Sequence, residues 1–343
     1  MKVQINEESA KKFTRQYFEK QKIVQKTYEY KYASGDKPMM HIAFNIDINF
    51  FMPTGVTITS ILENNKDMNF TFHIFTDEAD EKDLQKVKQT AEKYKQNCIV
   101  YIMDMEPFSH FHIKHNRFKQ VSYFRLYAPK VLKNLTDKFL YIDADLICIN
   151  SIKPFMKINL GDKILAAVAD LPQACQVKST YLGLFSGKYF NSGVLWIDAK
   201  KWDANNITER CFAYQDVPAE KFTCHDQDVL NLIMDGNIKF LDDKFNHLGF
   251  DGSEASKGCI IYHFSGREKP WNIALTKYDK IWRKYLTISF WDNIDNPLPS
   301  KEAKNYYNYK QAGKFYFSHG KKLEAIKCYF WYSILKIRLK ISV

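Results

Sequence analysis

The sequence predicts an α/β domain on a mixed, mainly parallel sheet, followed by a small helical module. Two observations carry this. Short apolar runs, HIAFNI (41–46), FTFHIFT (70–76) and CIVYIM (98–103), alternate with helical segments, and strand-helix-strand repetition builds right-handed crossovers and parallel pairing. Beyond residue 275 the alternation fades, and Pro297 and Pro299 mark a break before a basic, aromatic tail.

Residues 1–37 are rich in Lys, Glu, Tyr and Gln with weak periodicity and end in the turn-like ASGDKP, so they are expected as an extension before the main domain, 38–275. After the first strand, TITSILENN reads as a short helix. Between the next two strands, Leu84, Val87, Ala91 and Tyr94 recur on an otherwise charged segment, as in an amphipathic helix. KFLYIDADLICIN (138–150) reads as one apolar strand carrying two carboxylates, ILAAVAD and YFNSGVLWID as further strands, and QDVLNLIMDG as a helix. The module at 276–343 contains two helices separated by Ser318 to Gly320. In parallel sheets ligands gather beyond the carboxyl ends of the strands, so polar residues just past each strand are where chemistry is expected, and a nucleotide-binding domain is the leading reading.

Composition narrows the class. With 45% hydrophobic residues the chain is globular rather than disordered. Its excess of 50 Lys and Arg over 39 Asp and Glu, a net +11, fits an anionic partner such as nucleic acid, a phosphorylated substrate or a lipid surface without choosing among them. Seven cysteines with no CxxC pair point to neither a disulfide framework nor a zinc knuckle, and a reducing compartment is expected. The first 25 residues lack the apolar run of a secretory signal, and no stretch of about 18 apolar residues is present to span a bilayer. These features predict a cytoplasmic protein.

Four places, the last made of two segments, carry groups suited to chemistry. Asp143 and Asp145, two residues apart in an extended strand, would point to one side and can converge on a cation; a polar strand end is the other reading. IYHFSGREKPW (261–271) ends a strand with His263, which together with two carboxylates makes a site suited to manganese or magnesium rather than structural zinc; alone, it would be a packed or capping histidine. Gly266 allows close approach of a pyrophosphate and Lys269 supplies a point charge. In NIDINFF, Asp47 and Asn49 can hydrogen-bond a base or ribose and Phe50 can stack on it, or the segment is simply an Asx-rich turn. YFNSGVLWID and CHDQDVLN bring Asn191, Asp226 and Gln227 to loop or helix-start positions, where Asp226 also fits an ordinary N-cap.

Taken together, YIDADL, YFNSGVLWID, HDQDVLN and HFSGREKPW resemble the motifs of the family eight retaining glycosyltransferases, and more narrowly of the bacterial lipopolysaccharide core glucosyl- and galactosyltransferases. The resemblance runs from about residue 39 through the tail. It implies a GT-A type nucleotide-sugar-binding domain that moves glucose or galactose from a UDP-sugar to a lipopolysaccharide core acceptor, forming an alpha linkage with Mn2+ or Mg2+. By resemblance Asp143, Asp145 and His263 are metal ligands, and Asp47, Asn49, Phe50, Gly266 and Lys269 hold UDP. Arg125, Asp170, Asn191 and Asp226 would position the donor sugar, with Gln227 near its reacting face. The chain departs from the usual pattern at Ile48 and Glu268. A front-face attack aided by the leaving UDP is preferred over a covalent intermediate on Asp226, because Gln227 is an amide and a poor nucleophile.

In the tail, Leu323, Ile326, Phe330, Ile334, Ile337 and Ile341 follow helical spacing among Lys321, Lys322, Lys327, Lys336, Arg338 and Lys340. This face either lies on anionic lipid or packs onto the protein itself. The resemblance favours the membrane, since its acceptor is a lipid-linked oligosaccharide at the cytoplasmic face of the inner membrane, and it leaves no role for nucleic acid. Residues 104–120, with His110, His112 and His115, are expected to help form the acceptor side as a solvated loop. The rival readings are a protein- or glycogen-directed glucosyltransferase and a non-catalytic nucleotide- or polyanion-binding module.

Overall fold

The computed structural model describes residues 3–113, 120–249, 253–266, 268–292 and 294–341. It separates into two compact units, Met1–Leu248 with Ala255–His263, and Gly249–Glu254 with Phe264–Val343.

The first unit is built on eleven strands: β1 (Val24–Lys31), β2 (Met39–Ile46), β3 (Asn69–Thr76), β4 (Asn97–Met103), β5 (Lys138–Ile142), β6 (Leu146–Cys148), β7 (Leu165–Ala169), β8 (Phe190–Asp198), β9 (Ile238–Leu241), β10 (His247–Leu248) and β11 (Ile261–His263). Eight form a mixed sheet in the order β1-β4-β3-β2-β5-β8-β7-β9, and three form a second sheet, β10-β11-β6. The β4-β3-β2-β5 stretch is parallel, as the strand-helix alternation predicts. All eight residues of β3 are buried, as expected of a parallel strand covered on both faces. The helix at Glu81–Tyr94 buries Leu84, Val87, Thr90 and Ala91, and its start is capped by Asp80, whose carboxylate accepts the Asp83 N–H at 2.7 Å.

Of the segment 1–37 expected as an extension, the described residues 3–37 are built into this unit. β1 pairs antiparallel along β4 as an edge strand, and Phe13, Phe18 and Ile23 are buried in the main core. Phe13 and Phe18 sit 5.2 and 4.9 Å from the Phe212 ring, and Arg15 donates to the Asp203 carbonyl and the Asn206 side chain. Widely spaced aromatics among charges conceal this role, because only a few side chains of the segment face inward.

KFLYIDADLICIN also differs from the single strand expected. The Asp143 N–H makes a 2.8 Å bond to the Gly193 carbonyl, continuing the pairing of β5 with β8, whereas Leu146 already pairs with His263 in the second sheet. The chain passes from one sheet to the other between these points, and the two aspartates flank the crossing. The hydroxyl of buried Thr57, on the helix Phe51–Asn64, lies 3.0 and 2.7 Å from the Ala144 and Leu146 carbonyls and supports it.

In the second unit a helix at Lys277–Ile288 opens with a capping box between Thr276 and Asp279. Helices at Tyr306–Ser318 and Lys322–Ile341 follow, as the tail predicts. The last helix buries Ala325, Cys328 and Leu335 and leaves Leu323, Ile326, Phe330, Ile337 and Ile341 exposed. Among the described residues, no helix is long and apolar enough to cross a membrane.

Candidate active site

Strand direction gathers the site. β8 runs antiparallel to both β5 and β7, so its first residues reach the edge where β5 and β7 end. Asn191, Ser192 and Gly193 therefore meet Asp143 and Asp170, although Asn191 belongs to a strand rather than a loop. The helix Asp226–Met234 adds Asp226 and Gln227. It is preceded by His225 at φ 50°, a left-handed conformation costly for a non-glycine residue.

Asp143, Asp145 and His263 each offer a ligand atom, and these atoms lie within 4.8 Å of one another. Among the described residues this is the one such group; His110 instead pairs with Asp216 at 2.9 Å, His112 is exposed, and His115 lies outside the described residues. The donor set fits a divalent cation. One oxygen of Asp143, Oδ1, accepts from the Tyr141 hydroxyl at 2.8 Å and from Arg125 Nη2 at 3.0 Å. The other, Oδ2, faces the Gly193 Cα, where a Cβ would stand 2.9 Å from it and 2.4 Å from His263 Cε1. Asp145 Oδ1 and His263 Nε2 face each other at 3.3 Å, an arrangement that a shared proton or a cation stabilises. Two carboxylates and an imidazole make an oxygen-rich set appropriate to manganese or magnesium.

Arg125 is a strut of the site. Its guanidinium is 7% exposed, bonds the Ser122 and Ser192 carbonyls and the Ser192 hydroxyl, and pairs with Asp226 at 3.0 Å as well as with Asp143. It also lies 4.4 Å from the centre of the Tyr141 ring. Burial opposes its charge, but the Asp143 and Asp226 carboxylates outweigh burial and hold it protonated. For Asp226 the balance reverses. Burial pushes its carboxyl up to about 6, Arg125 offsets only part of this, and the nearby Asp143 charge adds to it. Asp226 is the first helical residue rather than the N-cap, and its carboxylate is turned to Arg125.

Gln227 is fixed at both ends. Its Nε2 donates to Asp170 Oδ2 at 2.7 Å and to the Tyr189 hydroxyl at 3.0 Å, and its Oε1 accepts the Ser192 N–H at 2.9 Å. Tyr189 in turn donates to Asp228, which Lys178 neutralises at 2.8 Å. Asn191 joins the same group, donating to Asp170 Oδ2 at 3.4 Å.

At the end of β2, Asp47 is buried and accepts the Asn49 N–H at 2.7 Å, so the Asx turn allowed by the sequence is present. Asn49 is exposed and Phe50 leads into the helix Phe51–Asn64. Gly266 and Lys269 belong to the second unit. There, Lys269 Nζ donates to the Phe264 carbonyl at 2.5 Å, and open space surrounds the position of a Cβ on Gly266. Sequence reasoning missed Tyr141, Gly193 and Asn246. The first two lie inside motifs already marked, and Asn246, in DDKFNHLGF, carries no local signal.

Comparison with known proteins identifies the family and the fold. Residues 41–274 match the profile of Glycosyl transferase family 8. A lipopolysaccharide 1,3-galactosyltransferase of Salmonella typhimurium is 32% identical over 275 residues, covering 76% of this chain and 81% of its own. A lipopolysaccharide 1,2-glucosyltransferase of Escherichia coli is 30% identical over 322 residues, covering 88% and 92%. Among solved structures, the galactosyltransferase LgtC in complex with donor and acceptor sugar analogues superposes with a TM-score of 0.66 at 22% identity, over 74% of this chain and 97% of that one, and shares the GT-A fold. With its α/β domain, mixed sheet and carboxyl-edge cluster of polar groups, the chain belongs to glycosyl transferase family 8 and is a glycosyltransferase.

Proposed function

We propose that this glycosyltransferase moves glucose or galactose from a UDP-sugar to a lipopolysaccharide core oligosaccharide with retention, forming an alpha linkage. The observation that carries the reading is the convergence of Asp143, Asp145 and His263 beside the row Asn191, Asp170 and Gln227. The names of the relatives from Salmonella typhimurium and Escherichia coli support the acceptor class.

Asp143, Asp145 and His263 would hold Mn2+ or Mg2+. A bound divalent cation supplies Lewis acidity to the diphosphate oxygens of the leaving group. Asp170, Asn191 and Asp226 orient the donor hexose, with Arg125 acting through Asp143 and Asp226. Gly266 and Lys269 are proposed to hold the diphosphate, and Asp47, Asn49 and Phe50 the nucleoside, on resemblance alone. In the transfer, the acceptor hydroxyl oxygen bonds to the anomeric carbon as the bond from that carbon to the diphosphate oxygen breaks, and the hydroxyl proton passes to the departing UDP. Gln227, an amide whose two ends are engaged, favours this front-face path over a covalent intermediate.

The exposed face of the last helix carries Leu323, Ile326, Phe330, Ile337 and Ile341 among Lys322, Lys327, Lys336, Arg338 and Lys340, which supports attachment to an anionic membrane surface bearing a lipid-linked acceptor. A peripheral position on the cytoplasmic face of the inner membrane follows, where UDP-sugars and such acceptors meet.

The test is transfer from UDP-glucose and UDP-galactose to truncated core oligosaccharide across a manganese series, with NMR of the product linkage. An α-linked product and loss of manganese-dependent turnover in Asp143→Asn and His263→Ala are expected. An inverted anomer, or unchanged turnover in both variants, refutes the proposal.

A further inference from the structure

Asn246 follows the turn Asp243–Phe245, is fully buried, and bridges two groups of the site. Its Oδ1 lies 3.1 Å from His263 Nδ1, and its Nδ2 donates to Asn191 Oδ1 at 3.0 Å. The polarity of this bridge is fixed from one end. The Gly193 backbone N–H can only donate, and it points to Asn191 Oδ1 at 3.0 Å, so that atom is a carbonyl oxygen. The Asn246 atom facing the same oxygen must then be the amide nitrogen, which leaves the Asn246 carbonyl oxygen facing the imidazole. Because a carbonyl oxygen only accepts, His263 Nδ1 carries the proton, and in the neutral ring Nε2 keeps its lone pair on the side of Asp145.

We infer that Asn246 is a positioning residue that sets the His263 tautomer for cation binding and ties the cation ligands to the sugar-facing row. That row runs without a break from His263 through Asn246, Asn191 and Asp170 to Gln227. Rotation of the imidazole pulls on Asn191, so cation binding and donor alignment are mechanically joined. The inference rests on the cation-site reading proposed above, and it adds a residue outside the ligand set. Partners that hold the remote nitrogen of a ligand histidine typically change metal affinity by about 10- to 100-fold when removed.

The test uses the full chain, with Mn2+ binding read by electron paramagnetic resonance of the free ion. Asn246→Ala is expected to weaken Mn2+ binding by about 10- to 100-fold. Asn246→Asp keeps an acceptor against Nδ1–H but loses the donor to Asn191, so it is expected to stay within about threefold of wild type for Mn2+ while KM for the UDP-sugar rises. In the metal-free wild type at alkaline pH, 15N NMR of the His263 ring is expected to show the Nδ1–H form. An Nε2–H form, or Mn2+ affinity in folded Asn246→Ala equal to wild type, overturns the inference even where melting temperatures fall. Wild type that binds no Mn2+ overturns the cation-site reading and this inference together; wild type that binds while Asn246→Ala binds equally well overturns this inference alone.

Discussion

Gly193→Ala offers the sharpest test of how the site is packed. A Cβ at residue 193 would lie 2.4 Å from His263 Cε1, 2.9 Å from Asp143 Oδ2 and 3.0 Å from Asn191 Oδ1, whereas ordinary contact begins at 3.4 Å. The imidazole would therefore have to move by about 1 Å, yet it is 4% exposed and bonded to Asn246 on one side and Asp145 on the other. Moving it, or displacing β8 instead, is an overpacking event of about 1–3 kcal/mol, from which reduced freedom of the unfolded chain recovers about 0.4–1 kcal/mol. The melting temperature should fall by a few degrees.

The larger effect is on the proposed cation site. Ligand distances in metal sites are held to within about 0.2 Å, so a displacement several times that size should weaken Mn2+ binding by at least about tenfold. Calorimetric titration of Mn2+ into wild type and Gly193→Ala measures this directly. Gly266→Ala is the control: its Cβ meets nothing within 4 Å, so its melting temperature and Mn2+ affinity should match wild type while UDP binding weakens. Wild-type Mn2+ affinity in Gly193→Ala would refute the view that a bare backbone at residue 193 admits the ligands.

Two further predictions concern the same network, and a third concerns the last helix. Tyr141→Phe keeps the ring under Arg125 but removes the 2.8 Å bond to Asp143 Oδ1, and Mn2+ affinity measured by titration should drop about tenfold with little change in melting temperature; equal affinity would show that Arg125 alone suffices. Because burial raises the Asp226 carboxyl from its ordinary 3.8 to about 6, the folded state binds that proton more tightly than the unfolded state. Asp226 therefore contributes stability as pH falls from about 6 to about 4, up to about 3 kcal/mol, and this contribution is lost as pH rises through 6. The melting temperature of wild type relative to Asp226→Asn should climb across that window on acidification, and parallel profiles would count against it. On the tail, Ile326 and Phe330 are 64% and 58% exposed, so replacing both by Glu should reduce binding to anionic vesicles at least about tenfold, since each apolar side chain contributes roughly 1.5 kcal/mol or more. UDP-sugar hydrolysis should be unchanged, and undiminished vesicle binding would remove the helix as the anchor.

How far the sequence could be read depended on whether a signal was local. The parallel strands and the Glu81–Tyr94 helix were legible because apolar periodicity is written into consecutive residues. The convergence of two carboxylates and an imidazole was legible because Asp143, Asp145 and His263 each sit in a short motif at a strand end. By contrast, the burial of Phe13 and Phe18 depends on distant Phe212, and no pattern within residues 1–37 announces it. The two-sheet crossing at Asp143–Asp145 was hidden for a related reason: alternation marks which residues are buried but not which partner strand they meet.

The same distinction separates the groups that would touch ligands from those that aim them. Asp143, Asp145 and His263 need a particular element type and advertise it, whereas Asn246 needs only to be buried between two other side chains. Its chemistry, one carbonyl and one amide, gains meaning from the direction of a single backbone N–H at Gly193. Gly193 thus acts twice, by lacking a side chain that would strike His263 and by supplying the donor that orients Asn191, Asn246 and His263 in turn. Gly193→Ala keeps that N–H and disturbs the site by filling the space beside His263, Asp143 and Asn191, whereas Asn246→Ala leaves the space open and removes the hydrogen-bonded bridge. Comparing the Mn2+ affinities of the two variants therefore separates steric room from hydrogen-bond direction within one site.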